Sequence, residues 1–357
     1  MMNITELNNE MTRLLIEEQK NEKAYQKCVS KLIDDYKKLL EDFDYNKYGL
    51  SNQVELHNEI EEICDVVLSC IEDYNRADIA MAITNMTNAV NKFSSKLSSL
   101  LIDSKGEYKV WYKIRPQEDV VRLYKAREMF HIPFEMRYKV ENQRFSINGY
   151  PCLYLGRSVW GCWEEMQETD FRFACVSRFE VQTKLNLLNV CLPNKDKTIT
   201  DPKDISCLLR TWPLIISCSI KVNMPNESFK PEYIISQLLM LAIKKSEEFL
   251  GRAYTSTQRN DFFDWDDDLL CNIAIPVMEI REKGLCPTLC SYFKITDSGK
   301  EEYFRLKGED KEHNKPIITY DKLNEGLIIS DSKKGYIASP FFFVEEKLKN
   351  KEAVYLK

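Results

Sequence analysis

Gln143-Arg144-Phe145-Ser146-Ile147-Asn148-Gly149-Tyr150-Pro151-Cys152-Leu153-Tyr154-Leu155-Gly156-Arg157-Ser158, continuing to Glu164-Glu165, reads as a strand entering a turn, a second strand and then a helix. Asn148-Gly149 is a strong turn dipeptide because both residues tolerate positive φ. Leu153-Tyr154-Leu155 is a short apolar run that fits a buried strand, and Ser158 is a candidate N-cap for a helix from Val159 to Met166. On this reading Glu165 lies two turns into the helix and Tyr154 on the strand before it. An arginine, a tyrosine and a carboxylate then reach one neighbourhood from three consecutive elements.

Upstream the composition changes sharply. Residues 1 to about 100 contain no proline and one glycine, Gly49, and all twelve prolines follow from Pro116 onward. Ile4, Leu7, Met11, Leu14 and Leu15 follow the i, i+3/i+4 spacing of an amphipathic helix, as do Ile60, Ile63, Val67 and Cys70. Three or four helices over about 4–43, 52–74 and 76–102 make an N-terminal α-helical bundle, a partner-binding module or a cap, with a linker at Ile102–Gly106. Downstream the pattern becomes short apolar runs broken by Pro, Gly and Asn. Strands are expected within 120–129 (ending in Leu123-Tyr124-Lys125-Ala126-Arg127), at 172–176, 185–190, 252–256 and 271–277. Helices are expected at 204–217, interrupted at Pro213, and at 232–249, closed near Gly251. Residues 297–316 read as a charged loop or hairpin, and the apolar runs 316–320, 326–329 and 341–344 complete the tail. The whole is α+β: a helical module over 1–106, then a mixed domain over 107–357.

The bulk numbers narrow the function. Net charge is −6 and 44% of residues are hydrophobic, which suits a packed two-domain protein and argues against general nucleic-acid binding. Twelve cysteines and three histidines show no zinc-ligand spacing, so buried thiols in a reducing cytoplasm are the expectation, with no metal. Asp264, Asp266, Asp267 and Asp268 lack the glycine and terminal glutamate of a calcium loop and read as an acidic surface. No run is long enough for a membrane span and no signal-peptide pattern opens the chain, so a cytoplasmic protein without membrane contact is expected. No G-x-G-x-x-G or P-loop occurs, which leaves hydride transfer and nucleoside triphosphate hydrolysis unsupported.

Arg144-Phe145, Asn148-Gly149, Leu153-Tyr154-Leu155, Ser158 and Glu165 together resemble the core signature of the RES domain family. Leu123 to Arg127 is similar to that family's opening strand, Tyr233-Ile234-Ile235-Ser236-Gln237 to its helix start, and Gly251-Arg252-Ala253-Tyr254-Thr255-Ser256 to its late G-x-x-Y-x-S strand, with Asn272 to Val277 after it. The likeness covers about 120–295. It implies an ADP-ribosyltransferase-like fold and a phosphorylase or hydrolase that splits nicotinamide from NAD+, the substrate. It further implies a toxin with an antitoxin or regulatory partner, and inorganic phosphate or water as acceptor; a homo-oligomer is one option, and the sequence leaves the number of subunits open. Lys125 stands where relatives carry arginine, so the first cation is Lys125 or Arg127; the family serine is Ser256 or Ser236, with Ser256 preferred.

Those residue types suit the chemistry. Cleavage passes through an oxocarbenium-like state that a fixed carboxylate stabilises, and Glu165 is the candidate. The pyrophosphate calls for a planar guanidinium, placing Arg144 first and Arg127 second. Tyr154 could stack on the nicotinamide or ribose and Ser256 could hydrogen-bond the substrate, while Tyr254, Ser236 and Asn272 complete the expected NAD contacts. Each residue alone also has an ordinary structural account: a surface ion pair, a core tyrosine, an acid at a helix start. Two other classes fit the same residues, a transferase that ADP-ribosylates a macromolecule and a catalytically silent partner-binding module.

Overall fold

The structure, a computed structural model, describes residues 1–117, 122–166, 170–194, 198–257, 267–300, 336 and 339–356. In chain order its elements are α1 (Ile4–Asn21), α2 (Tyr25–Glu41), α3 (Gln53–Asn75), α4 (Ile79–Phe93), β1 (Ser99–Ile102), β2 (Val110–Pro116), β3 (Cys152–Gly156), α5 (Val159–Glu165), β4 (Ala174–Val181), β5 (Leu185–Val190), α6 (Pro202–Ser219), α7 (Ile234–Lys244), β6 (Gly251–Thr255), α8 (Asp267–Leu270), β7 (Cys271–Pro276), α9 (Pro287–Tyr292), β8 (Phe293–Thr296), α10 (Pro340–Lys349) and β9 (Ala353–Tyr355). Helices preceding strands of mixed direction make the protein α+β, as its sequence implies. The chain forms two compact units: Met1–Leu100 with Glu141–Tyr150 and Asn186–Phe263, and Leu101–Val140 with Pro151–Leu185 and Asp264–Lys357.

In the first unit α2 and α3 pack on α6, and α4 packs on α7. The faces read from the sequence are the buried ones: Ile4, Leu7, Met11 and Leu15 on α1, and Ile60, Ile63, Val67 and Cys70 on α3. Asn3 and Glu6 close α1 with a reciprocal capping box. α6 is buried from Leu208 through Ser219. Pro213 does not interrupt it, contrary to the sequence expectation, and the reason is chemical. Proline has no N–H, which leaves the carbonyl four residues earlier without its helical donor. That carbonyl, of Leu209, accepts the buried Tyr36 hydroxyl at 2.6 Å instead. Trp212 Nε1 donates to Asn8 Oδ1 at 3.0 Å and Tyr25 donates its hydroxyl to Ser217 O at 2.8 Å, tying α6 to α1 and α2. β5 and β6 run parallel, Leu187 opposite Gly251 through Val190 opposite Tyr254.

The second unit is built on an antiparallel run in the order β7-β3-β2-β4-β8-β9. β2 and β4 pair over seven positions, from Val110 opposite Glu180 to Pro116 opposite Ala174. β3 pairs with β7, from Cys152 opposite Pro276 to Gly156 opposite Asn272. β3 then turns through Arg157 into α5, whose N-terminus receives two caps. Ser158 Oγ accepts Gly161 N–H at 2.8 Å, and Glu345 of α10 accepts Val159 N–H at 2.7 Å.

Several expected elements differ. Residues 143–146 form one bridge, Gln143 with Ser146, rather than a strand, because Gln237 Nε2 donates to Asn142 Oδ1 and to the carbonyls of Gln143 and Ser146, fixing a loop. Ala126–Met129 is a 3-10 turn rather than the end of a strand. Glu128 folds back to accept the Lys125 N–H at 2.9 Å and so closes that turn. The first helical stretch breaks between Asn21 and Tyr25, α4 ends at Phe93, and Ser99–Ile102 is a strand. The 232–249 helix stops at Lys244, and Phe341–Val344 lies in α10, started by Ser339 as N-cap and Pro340 in the first turn. The runs 316–320 and 326–329, most of the 297–316 segment, and Asp264 and Asp266 lie outside the described residues. Among the described residues no helix is long and apolar enough to cross a membrane.

Candidate active site

Glu165 ends α5 in the second unit, half-buried. Asn272, only 3% exposed, donates from Nδ2 to Glu165 Oε1 at 3.0 Å. Asn272 sits opposite Gly156 in the β3–β7 ladder, and the absence of a side chain there makes room for it. A Cβ on Gly156 would stand 2.8 Å from Asn272 Oδ1 and 2.5 Å from Cys162 Sγ. Cys162 donates its thiol to Tyr112 O at 3.2 Å. Burial pushes the Cys162 thiol up to about 12, Glu345 and Glu165 add to the shift, and Lys113 opposes it. Lys113 of β2 thus shares this neighbourhood. Burial pushes its ammonium down to about 8, while its Nζ donates to Phe130 O at 2.7 Å. Sequence reasoning missed Lys113; its only signal was a lysine in an otherwise apolar run, Val110 to Ile114. Tyr154, half-buried, lies on β3 opposite Ala274.

The helix that carries Glu165 is fixed at its start by close packing. Ser158 Oγ donates to Leu269 O at 2.6 Å, and a Cβ on Gly161 would come within 2.5 Å of that same carbonyl oxygen. Backbone cannot yield as a flexible side chain can, so Gly161→Ala is expected to cost about 1–3 kcal/mol, the usual range for overpacking. A urea titration giving wild-type stability for Gly161→Ala would refute this close approach.

In the first unit a second group of polar side chains gathers below β6. Arg144 Nη1 donates to the carbonyls of Cys218 and Glu232 at 3.1 and 3.3 Å, and its Nη2 to Ile220 O at 2.8 Å. Three of the five N–H groups are thereby used, leaving the Nε edge of the fork among the described residues. The guanidinium also lies 5.2 Å from the centre of the Tyr233 ring. Arg252 is fully buried. Its Nη1 donates to Ser236 O at 3.3 Å, its Cζ lies 3.7 Å from the centre of the Phe145 ring, and among the described residues its Nε and Nη2 have no hydrogen-bond partner. Burial holds that guanidinium below its ordinary value. Ser236 Oγ, also buried, is likewise without a partner among the described residues. Phe145 packs on Tyr254 at 4.1 Å, and Ser256 is buried just past the end of β6. Arg144, Ser236 and Tyr254 are thus gathered here with Arg252, which stood in the quoted G-x-x-Y-x-S run without an assigned role.

The two alternative cations differ in their surroundings. Lys125 is exposed and paired with Asp297 at 2.9 Å, while Arg127 lines a groove of about 650 Å3 with Arg281 and Lys283 in the second unit. Among the described residues no three His, Cys, Asp or Glu side chains converge as metal ligands.

No family model matches the chain, and no solved structure matches it. Over 271 residues the chain is 31% identical to a Bacillus subtilis (strain 168) protein named "Putative toxin YopC"; the match covers 71% of this chain and 61% of that protein, so this chain spans less than two thirds of that relative's length.

Proposed function

We propose that the chain is a toxin that cleaves the nicotinamide–ribose bond of NAD+, with inorganic phosphate or water as acceptor. The observation that carries this reading is the Glu165–Asn272 pair: a carboxylate held at the end of α5 by a buried amide at 3.0 Å. A carboxylate whose orientation is set beforehand stabilises a developing oxocarbenium charge without reorganising during the step. In this reading Glu165 faces the anomeric carbon and aligns the acceptor, and Tyr154 lies against the nicotinamide or ribose ring. Within the first unit Arg144 keeps an Nε edge, and a guanidinium binds phosphate through paired N–H groups. The buried cation Arg252 of that same unit, with two nitrogens unpartnered among the described residues, lies close enough to Arg144 for the two charges to interact. Similarity to a protein named as a toxin supports the toxin role, and the RES-like order of motifs supports NAD+ as the substrate.

The test is incubation of the purified chain with NAD+ followed by proton NMR, with and without inorganic phosphate. Released nicotinamide with ADP-ribose 1″-phosphate only when phosphate is present identifies phosphorolysis, and free ADP-ribose identifies hydrolysis. NAD+ that stays intact under both conditions overturns the reading.

A further inference from the structure

α10 lies beyond the 120–295 stretch that carries the RES-like likeness, yet it packs on α5, the helix that ends in Glu165. Both belong to the second unit. α5 has only seven residues, and isolated helices shorter than about 12–15 residues are marginal in water. Its geometry therefore comes from what holds it. The first turn is held by Ser158, which bridges Gly161 N–H and Leu269 O, and by Glu345 on Val159 N–H. Those contacts end there, and Glu165 lies more than a turn further on.

The last turn is gripped from two sides. Trp163 stands two residues before Glu165, about 200° round the helix, so the two side chains leave α5 in nearly opposite directions. On one side Asn272 donates to Glu165 at 3.0 Å. On the other, Phe341 of α10 meets Trp163 with ring centres 5.4 Å apart, and it packs edge-on against Phe171 at 4.7 Å. Phe341 and Phe171 are 1% and 2% exposed, and a close-packed aromatic group of this kind resists displacement. α10 is itself fastened to the sheet at its far end. Arg178 Nη2 of β4 donates to Lys351 O at 3.0 Å, Lys351 Nζ donates to Ser298 O at 2.8 Å, and β9 then pairs with β8. We infer that Phe341 is a positioning residue: by holding Trp163 it sets the rotation of the last turn of α5, and with it the direction of the Glu165 carboxylate. The catalytic consequence rests on the NAD+ reading above, whereas the hold on α5 does not. Misplacing a reacting group by about 1 Å can cost about 10²-fold in rate, which sets the size of the effect.

Phe341→Leu keeps an apolar side chain and removes the ring. In the full chain it should lower kcat for NAD+ cleavage about tenfold or more with KM within about threefold, because alignment in the transition state suffers and substrate binding does not. The same substitution made in a Glu165→Gln chain should cost less than about twofold, since the carboxylate whose direction it sets is gone. A general loosening of the fold would cost the same in either background. Trp163→Leu breaks the contact from the other partner and should reproduce the loss, which keeps the test open if one variant folds poorly. Hydrogen exchange reads the contact without any substrate: Phe341→Leu should speed exchange over residues 162–166 about tenfold or more and leave Val110–Pro116 unchanged. Unchanged exchange in α5 overturns the inference whatever the substrate. In a chain that cleaves NAD+, so does an unchanged kcat or an equal loss in the Glu165→Gln background. A wild-type chain that leaves NAD+ intact refutes the NAD+ reading alone, and the exchange result then decides whether Phe341 holds α5.

Discussion

Glu165→Gln is expected to lower kcat for NAD+ cleavage by about 10²–10⁴-fold, the range attached to a positioned acid or base, with KM changed only a few-fold. The amide keeps the size of the carboxylate but not its charge, and the charge matters chiefly when the ribose becomes cationic. An interaction made in the transition state alone appears in kcat rather than in substrate binding. Asn272→Ala removes the donor at 3.0 Å from Glu165 Oε1 and leaves the carboxylate charged but without that contact. Its expected loss is smaller, about 10- to 100-fold, equivalent to one hydrogen bond to a charged group. Steady-state rates of nicotinamide release, with circular dichroism to verify the fold, measure both effects. An active wild type whose Glu165→Gln variant turns over equally fast would remove Glu165 from the mechanism without removing NAD+ as the substrate.

The second large effect is on stability. Burial raises the Glu345 carboxyl from its ordinary value of 4.5 to about 7, although the Tyr336 hydroxyl and the Val159 N–H both donate to it and favour its charged form. A folded-state value above the unfolded one means that the folded chain holds the proton more tightly. The resulting stabilisation is complete below the unfolded value near 4.5 and is lost as pH rises through about 7. Between pH 5 and pH 8 the wild type should therefore lose about 2–3 kcal/mol relative to Glu345→Gln, which cannot titrate. Paired urea titrations at the two pH values isolate this group, because every other titration is common to both proteins. Parallel pH profiles would show that Glu345 is ionised in the folded chain throughout. Glu345 also caps α5, the helix that ends in Glu165, and its ionised carboxylate is the stronger acceptor for the Val159 N–H, so the loss at high pH comes from burying the charge and not from the cap.

What could be read from the sequence was what local chemistry decides. Ser158 caps α5 because a hydroxyl three residues before an amide reaches it whatever else the chain does, and Leu153-Tyr154-Leu155 is a strand because its apolar run suits nothing else so short. The faces of α1 and α3 followed from spacing alone. Long-range chemistry overrode the rest. Residues 143–146 failed to become a strand because of Gln237, more than ninety positions away. α6 survived Pro213 because of Tyr36, separated from the Leu209 carbonyl by 173 positions. The candidate site was legible in part. Glu165 and Asn272 were both singled out, but their contact spans 107 positions and no spacing rule connects them. Lys113 and Arg252 went unassigned because their character comes from burial, which a single lysine or arginine in a sequence does not reveal.

All twelve cysteines are thiols, and eleven of them are buried. Burial first, with nearby carboxylates adding to it, raises Cys28, Cys64, Cys70 and Cys162 to about 12, so in the folded chain these sulfurs are neutral and shielded from oxidants and electrophiles. Unfolding returns every one of them to an ordinary thiol, a few per cent of it nucleophilic thiolate near neutral pH. A chain that opens in air can thus cross-link to itself in many wrong pairings, each a trap against return, and heat inactivation becomes one-way unless a reductant is present. The same concealment makes the cysteines a clock: alkylation by an external reagent proceeds only as fast as the fold opens.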